Sequence, residues 1–417
     1  MRLGLYLRSC LFVSAAAALA SCSAPVSPQS GTGGEAQALP PPSSASLPSF
    51  APGAGKAAGD VLLLVPLTGP LASVGTVLAN AAKLALPADG SPKLDIRDTQ
   101  GTPQGAASAA SAGLAAGDGL IIGPLTADDT KAVVPLAKQA GVNMLPFTND
   151  GALAAPGVWP LGITPAQQAA SVVQQAANSG HTQLAGLLPD SDFGRRLADG
   201  LQAAAQKLGE PTPQIMFYES GFSSLNQTIR QLADWESRGA SQGASSGGSK
   251  AVRTQQVPPP SFNALFIGAT NANDLAEIAS FLPYYSVFPQ QVQFMGPTLW
   301  ANLAPAMASQ PSFIGALYAA PDPADAALFQ SKYNSTYGSL PAGIADIAFD
   351  AAALAKLAST SGGYTANVLT APSGFTGADG LLVLRPDGTV ERGLTVFAIA
   401  HGQPIVASPA PTSLKQP

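Results

Sequence analysis

From Gly59 onward, short apolar runs alternate with stripes of apolar residues at helical spacing. Asp60–Pro66 reads as a buried strand and is followed by a Thr68-Gly69-Pro70 turn. Beyond it Val74, Val77, Leu78, Ala81 and Leu84 recur on one helical face. The pattern then predicts strands over 94–97, 120–122 and 142–145, with helices over 103–116 and 127–140. A second series starts near Pro165, with helices over 166–178, 193–208, 224–235 and 273–284. Its strands fall over 183–188, 214–218, 264–267 and 292–295, and later runs at 380–384 and 394–400 flank an Asp387-Gly388 turn. Strands alternating with helices of about 10–15 residues predict an α/β fold with parallel sheets covered on both faces.

Two stretches break the pattern. Residues 23–58 mix Pro25, Pro28, Pro40, Pro41, Pro42, Pro48 and Pro52 with Ser and Gly and carry only Glu35 and Lys56 as charges. Such a segment cannot bury a core and is expected to be a disordered tether. As a flexible coil it would span on the order of 35 Å. Residues 237–261 are rich in Ser, Gly and Gln and end in Pro258-Pro259-Pro260. Helix–strand alternation resumes beyond them, so they are expected to be a loop inserted in the second half of the fold.

At the start, Arg2 and Arg8 precede an apolar run from Leu11 to Ala18, then Leu19-Ala20-Ser21-Cys22. This resembles the signal peptide of bacterial lipoproteins, cleaved after residue 21. The resemblance implies lipidation of Cys22 and a lasting acyl anchor. Ser23, in place of the Asp that retains such proteins at the inner membrane, implies the inner leaflet of the outer membrane, with the body in the periplasm. Cys10 lies in the segment to be removed, so the mature body has no thiol for a disulfide, a zinc site or a nucleophile. No other run approaches the ~18 apolar residues of a membrane span.

Composition narrows the function further. The formal net charge is -5 and charged residues are 11% of the chain, which offers no basic field for nucleic acid. His181 and His401 have no partners at metal-ligand or triad spacing. Gly239-Ala-Ser-Gln-Gly243 and Gly243-Ala-Ser-Ser-Gly247 match a nucleophile elbow but lie in the low-complexity insert with no strand before them. Asp190-Ser-Asp192 lacks the further acidic positions of a calcium loop, and Asp128-Asp129 suits a helix N-terminus. Neither Lys56 nor Lys250 stands in a phosphate loop. No catalytic residue, metal or cofactor is expected, and the chain does not read as an enzyme.

The order of segments resembles the type 1 periplasmic binding proteins, particularly their leucine/isoleucine/valine-binding branch. The matching residues are Pro66-Leu-Thr-Gly-Pro70, Asp98-Thr99, Ile122-Gly123-Pro124, Pro135–Val142 and Asp192-Phe193-Gly194. Later come Phe329–Tyr333, Ala348-Phe-Asp-Ala351 and Phe375-Thr-Gly377. The resemblance implies two α/β lobes joined by three crossovers. Lobe 1 would take 59–161 and about 320–378; lobe 2 would take 162–319 and about 379–408; 409–417 would be a disordered tail. It also implies an interlobe cleft for a small ligand, with Thr68, Ser73, Thr126, Thr148, Asn149 and Phe193 as candidate contacts. The branch's paired serines are replaced by Leu125-Thr126, so one hydroxyl is missing. Helix N-termini there would favour an anion; alternatively, Thr126 and Asp128 simply cap the following helix.

A narrower resemblance lies in the insert, in Phe262–Thr270, in Phe281-Leu-Pro-Tyr-Tyr285 and in Gln293–Trp300. These look like penicillin-binding protein activators, outer-membrane lipoproteins of the same fold that bind and stimulate bifunctional peptidoglycan synthases. The resemblance implies a penicillin-binding protein as partner, with Tyr284, Tyr285, Phe288 and Trp300 as the first aromatics to consider at its interface. The alternative is a solute receptor of an ABC transporter for branched-chain amino acids or related compounds.

Overall fold

The computed structural model describes residues 59–240 and 257–414. The signal peptide, Cys22, the tether and 241–256 of the insert therefore lie outside the described residues.

The first lobe opens with β1 (Val61–Val65), α1 (Ala72–Ala85), β2 (Leu94–Asp98), α2 (Pro103–Ala116), β3 (Leu120–Ile122), α3 (Ala127–Ala140) and β4 (Asn143–Leu145). Its four parallel strands run in the order β2-β1-β3-β4. Period-two alternation divides β1 between two cores. Val61, Leu63 and Val65 face one side with α1, while Leu62 and Leu64 face α2 and α3.

The second lobe holds α4 (Pro165–Asn178), β5 (Leu184–Pro189), α5 (Asp192–Leu208), β6 (Gln214–Tyr218), α6 (Phe222–Leu232), α7 (Trp235–Ala240), β7 (Ala264–Ile267), α8 (Ala272–Tyr284), β8 (Gln293–Gly296), α9 (Trp300–Met307) and β9 (Leu317–Ala320). The chain then returns to lobe 1 with α10 (Pro323–Tyr337), α11 (Ala345–Thr360), α12 (Ala366–Leu369), β10 (Phe375–Gly377), β11 (Gly380–Leu384) and β12 (Val390–Arg392). It ends in lobe 2 with β13 (Thr395–Ala398) and β14 (Ile405–Ser408). The second sheet has seven strands in the order β14-β13-β9-β8-β7-β5-β6, with β13 antiparallel to both of its neighbours. The fold is thus a pair of mainly parallel α/β lobes with three crossovers, near 161–164, 321–322 and 393–394.

Three expectations are corrected. Gly380–Leu384 does not enter the second lobe's sheet. It pairs with β10 and β12, and Leu382 and Leu384 pack into the first lobe's core. The Trp159 indole also donates to the Arg385 carbonyl (2.7 Å). The last crossover therefore falls at 393–394, not near 379. Next, the helix predicted over 224–235 stops at Leu232, because Asp234 takes a positive φ of 45° and the chain restarts as α7. The first residues of the supposed insert are thus helical. Finally, residues 409–414 of the supposed disordered tail are tied down. The Ala410 amide donates to Thr395 Oγ1 (3.1 Å), and the Leu414 carbonyl accepts from Arg385 (3.4 Å).

The sequence landmarks meet in pairs. Asp98, at the end of β2, accepts from the Leu67 amide (2.8 Å), the Thr68 hydroxyl (2.7 Å) and the Gln100 amide (2.7 Å), so it shapes the turn after β1. Although slight burial works the other way, these bonds hold its carboxyl below the usual carboxylate range. Likewise Asp350 on α11 accepts from the Ala378 (2.7 Å) and Asp379 (2.9 Å) amides. A Cβ at Gly377 would lie 2.2 Å from that carboxylate. The Phe-Asp-Ala and Phe-Thr-Gly landmarks are two halves of one contact.

Candidate functional site

In open α/β sheets, ligands bind beyond the carboxyl ends of strands where the winding reverses. Here the reversals lie between β1 and β3 in one lobe and between β5 and β7 in the other. Their carboxyl ends flank an interlobe cavity of about 830 Å³, within the usual range for small-molecule sites. Lobe 1 contributes Leu125, Thr126, Phe147, Thr148 and Asn149; lobe 2 contributes Phe193, Arg196, Thr298 and Leu299. The first two crossovers, at Leu161–Ile163 and Ala320–Pro323, also line it. A smaller hollow of about 380 Å³ beside β5 and β6 shares Asn149, Phe193 and Leu299 and adds Ser191, Tyr218, Asn271 and Asp274. Behind the crossovers, a separate cavity of about 460 Å³ is lined by Asp150, the α4 N-terminus, Arg196 and the Gly388–Val390 turn.

Four of the six predicted cleft residues come together. Thr126, Thr148, Asn149 and Phe193 all line the main cavity. Thr68 and Ser73 are not among its lining residues: the Thr68 hydroxyl is held by Asp98, and Ser73 is exposed on the first turn of α1. Of the four, two hydroxyls already have work within the fold. Thr126 Oγ1 accepts from the Asp129 amide (3.1 Å) as the N-cap of α3. Thr148 Oγ1 accepts from the Asp150 amide (3.1 Å). The α3 N-terminus is also served by its own acids, Asp128 and Asp129. Burial, opposed by the Thr126 hydrogen bond, pushes Asp129 up. That end of the cleft is a poor place for a ligand carboxylate.

The polar residues that sequence reasoning missed lie where the lobes meet. Asp150 of lobe 1 pairs with Arg196 of α5 across the cleft (3.3 Å). Arg392, at the end of β12, pairs with Asp379 (3.3 Å) and donates to the Leu161 carbonyl through Nε (3.1 Å) and also through Nη2. The Gln167 amide of α4 reaches the Val390 carbonyl. Asp346 and Asp379 also line the cavity. One signal for Asp346 was legible: Asp346 and Asp350 stand one turn apart in an otherwise apolar stretch, Ile344–Ala355.

The four aromatics singled out for an interface divide cleanly. Tyr285 and Trp300 are buried in the second lobe, Trp300 donating to the Ala269 carbonyl (2.9 Å). Tyr284 is 70% exposed and Phe288 38% exposed. Phe222, which the sequence did not single out, is 62% exposed and packs edge-on against Phe281. These aromatics lie on or beside α6 and α8.

The periplasmic binding protein profile matches residues 60–403. The chain belongs to this family. The resemblance to penicillin-binding protein activators also has counterparts among known proteins. The chain is 28% identical over 161 residues to the penicillin-binding protein activator LpoA of Mannheimia succiniciproducens. That match covers 38% of this chain and 28% of the relative, so less than a third of that protein is matched. The C-domain of LpoA from Haemophilus influenzae, a regulator of PBP1A, superposes with a TM-score of 0.59 at 18% identity, covering 83% of this chain and all of that domain (100%). A branched-chain amino acid ABC transporter structure from Rhodospirillum rubrum superposes at 0.67 and 18% identity, covering 84% and 99%. These superpositions show a shared fold.

Proposed function

We propose that this protein is a non-enzymatic activator of a penicillin-binding protein, held at the outer membrane by lipid on Cys22. The observation that carries the reading is the 28% identity to LpoA. It is supported by the lipoprotein-like start with its Pro-rich tether, which suits a body reaching across the cell wall. No helix among the described residues is long and apolar enough to cross a membrane. The exposed ring faces of Tyr284, Phe222 and Phe288 supply the kind of rigid aromatic anchor that dominates protein interfaces.

The test is a pull-down of the tagged full chain from detergent-solubilised membranes, followed by a glycan-synthesis assay with any synthase recovered. Enrichment and stimulation of a bifunctional synthase are expected. The reading is to be dropped if no synthase is enriched and none is stimulated on mixing. The fold likeness to the Rhodospirillum rubrum structure and the open interlobe cavity favour a second reading, a solute receptor. A thermal-shift screen of branched-chain amino acids decides it, because ligand at 100 times its dissociation constant adds ~2.7 kcal/mol of stability.

A further inference from the structure

Lobe 1 carries a small apolar hollow at the end farthest from the cleft. It measures about 190 Å³ and is lined by Leu354, Leu357 and Ala358 of α11, Leu369 of α12, Phe375 of β10 and Leu382 of β11. None of its lining residues is charged, and Leu357 is 52% exposed. Its place follows from α11. Asp346, in the first turn of that helix, lines the cleft, whereas the last two turns line the hollow. At 1.5 Å per residue, Asp346 and Ala358 stand about 18 Å apart along the helix. Because β1 points its carboxyl end at the cleft, the chain enters lobe 1 at the end that holds the hollow. There the Tyr364 hydroxyl donates to the Gly59 carbonyl (3.1 Å). Tyr364 stands between Ser361 and Val368, both of which line the hollow.

We propose that the hollow is the docking site of the chain's own tether, with the Phe50 ring seated in it. Phe50, which lies outside the described residues, is the sole aromatic of residues 23–58. The chain from Phe50 to Gly59 extends to about 30 Å, while Val368 lies at most about 14 Å along the chain from Tyr364. The hollow is therefore within the ring's reach. Uncharged and lined by leucines, it gives a phenyl ring apolar contact and removes its surface from water. Pro48 and Pro52 restrict the backbone on either side, which lowers the entropy lost on docking. A short linker also holds the chain's own Phe50 near the hollow at an effective concentration on the order of millimolar, which favours it over that of a second copy. Docking shortens the free tether from residues 23–58 to 23–49. The inference stands on lobe 1 and the tether and is independent of the synthase reading.

The test is disulfide formation in the full chain carrying Cys10→Ser and Cys22→Ser, which leave it without native thiols. Ala51→Cys is paired with Ser373→Cys, an exposed position that lines the hollow. With glutathione disulfide as oxidant, the intramolecular bond is expected to form at least tenfold faster than when Phe50→Ser is added. Phe50→Ser keeps the length of the tether and lies outside the core of lobe 1, so the comparison isolates docking from mere proximity. Leu357→Arg, on the exposed rim, should slow the bond to the same degree. Equal rates with and without Phe50→Ser overturn the proposal. So does a disulfide-linked dimer as the main product, which assigns the hollow to a second copy. A rate that falls with Phe50→Ser but not with Leu357→Arg also overturns it, because Phe50 then docks elsewhere. A pull-down that recovers no synthase leaves these outcomes untouched, so the two readings fail separately.

Discussion

Single side chains settle local questions that composition leaves open. Gly75, in the first turns of α1, brings its helix so close to β1 that a Cβ would lie 1.8 Å from the Pro66 carbonyl oxygen. Gly194 on α5 repeats this against Pro189 in the other lobe, at 1.9 Å. Either Gly→Ala change should force the helix off its strand and lower stability by about 1–3 kcal/mol in urea unfolding. Asp346 governs a different observable. Its carboxyl is raised from 3.8 to about 7 in the fold, chiefly by burial. The folded chain therefore binds the proton more tightly than the unfolded one, and the associated stability is full below about pH 4 and lost as pH rises through about 7. Asp346→Asn should flatten the fall in unfolding free energy across that window by up to ~1.4 kcal/mol per pH unit.

Elements depend on anchors that tie one to another. Arg238, on the short α7, is buried and donates to the carbonyls of Pro258 (2.8 Å), Ala233 (2.8 Å), Tyr285 (3.2 Å) and Ser286 (2.9 Å). It thus clamps the two ends of the insert to α6 and to the end of α8. Burial holds its guanidinium below the usual arginine value, partly offset by Asp234. Arg238→Ala would leave several buried carbonyls unpaired and should cost about 2–4 kcal/mol, measured by denaturant unfolding. The exposed aromatics on α6 and α8 belong to the same unit. On the activator reading proposed above, Tyr284→Ala and Phe222→Ala should weaken synthase capture at least tenfold while leaving the melting temperature within a few degrees, because both rings are mostly in solvent. The same change at Tyr285, which packs edge-on against Trp235, should instead unfold the lobe more readily.

At the scale of the whole molecule, the lobes are coupled through the crossovers. Arg392 joins the third crossover to the first through the Leu161 carbonyl while neutralising Asp379. Arg392→Met would strand a buried carboxylate and should cost about 3–5 kcal/mol. Small-angle scattering should show a larger radius of gyration for that variant, since a tie between the crossovers is lost. The Asp150–Arg196 pair is a second link, between a buried carboxylate and a half-exposed guanidinium. Arg196→Ala would leave a buried carboxylate without its charged partner and should lower stability by about 1–3 kcal/mol in denaturant unfolding.

Local physics made the elements legible. The helices over 103–116 and 127–140 and the strands over 120–122, 214–218 and 264–267 lie where the apolar spacing put them, because periodicity, caps and the left-handed Gly117 and Gly141 all act within one element. The winding of two lobes followed from the order of those elements. The tertiary structure alone decided which lobe claims Gly380–Leu384. That choice rests on contacts such as Trp159 with Arg385, which are 226 residues apart in sequence. It also decided that Trp300 is core while Tyr284 is surface, and that Thr126 caps a helix. Asp346 shows the division most clearly. Its place one turn from Asp350 is written in the sequence, but the burial that leaves its Oδ1 without a partner among the described residues exists only once α11 is packed into the fold beside the cleft. Burial and charge balance are properties of neighbours in space, and a chain read along its length does not contain them.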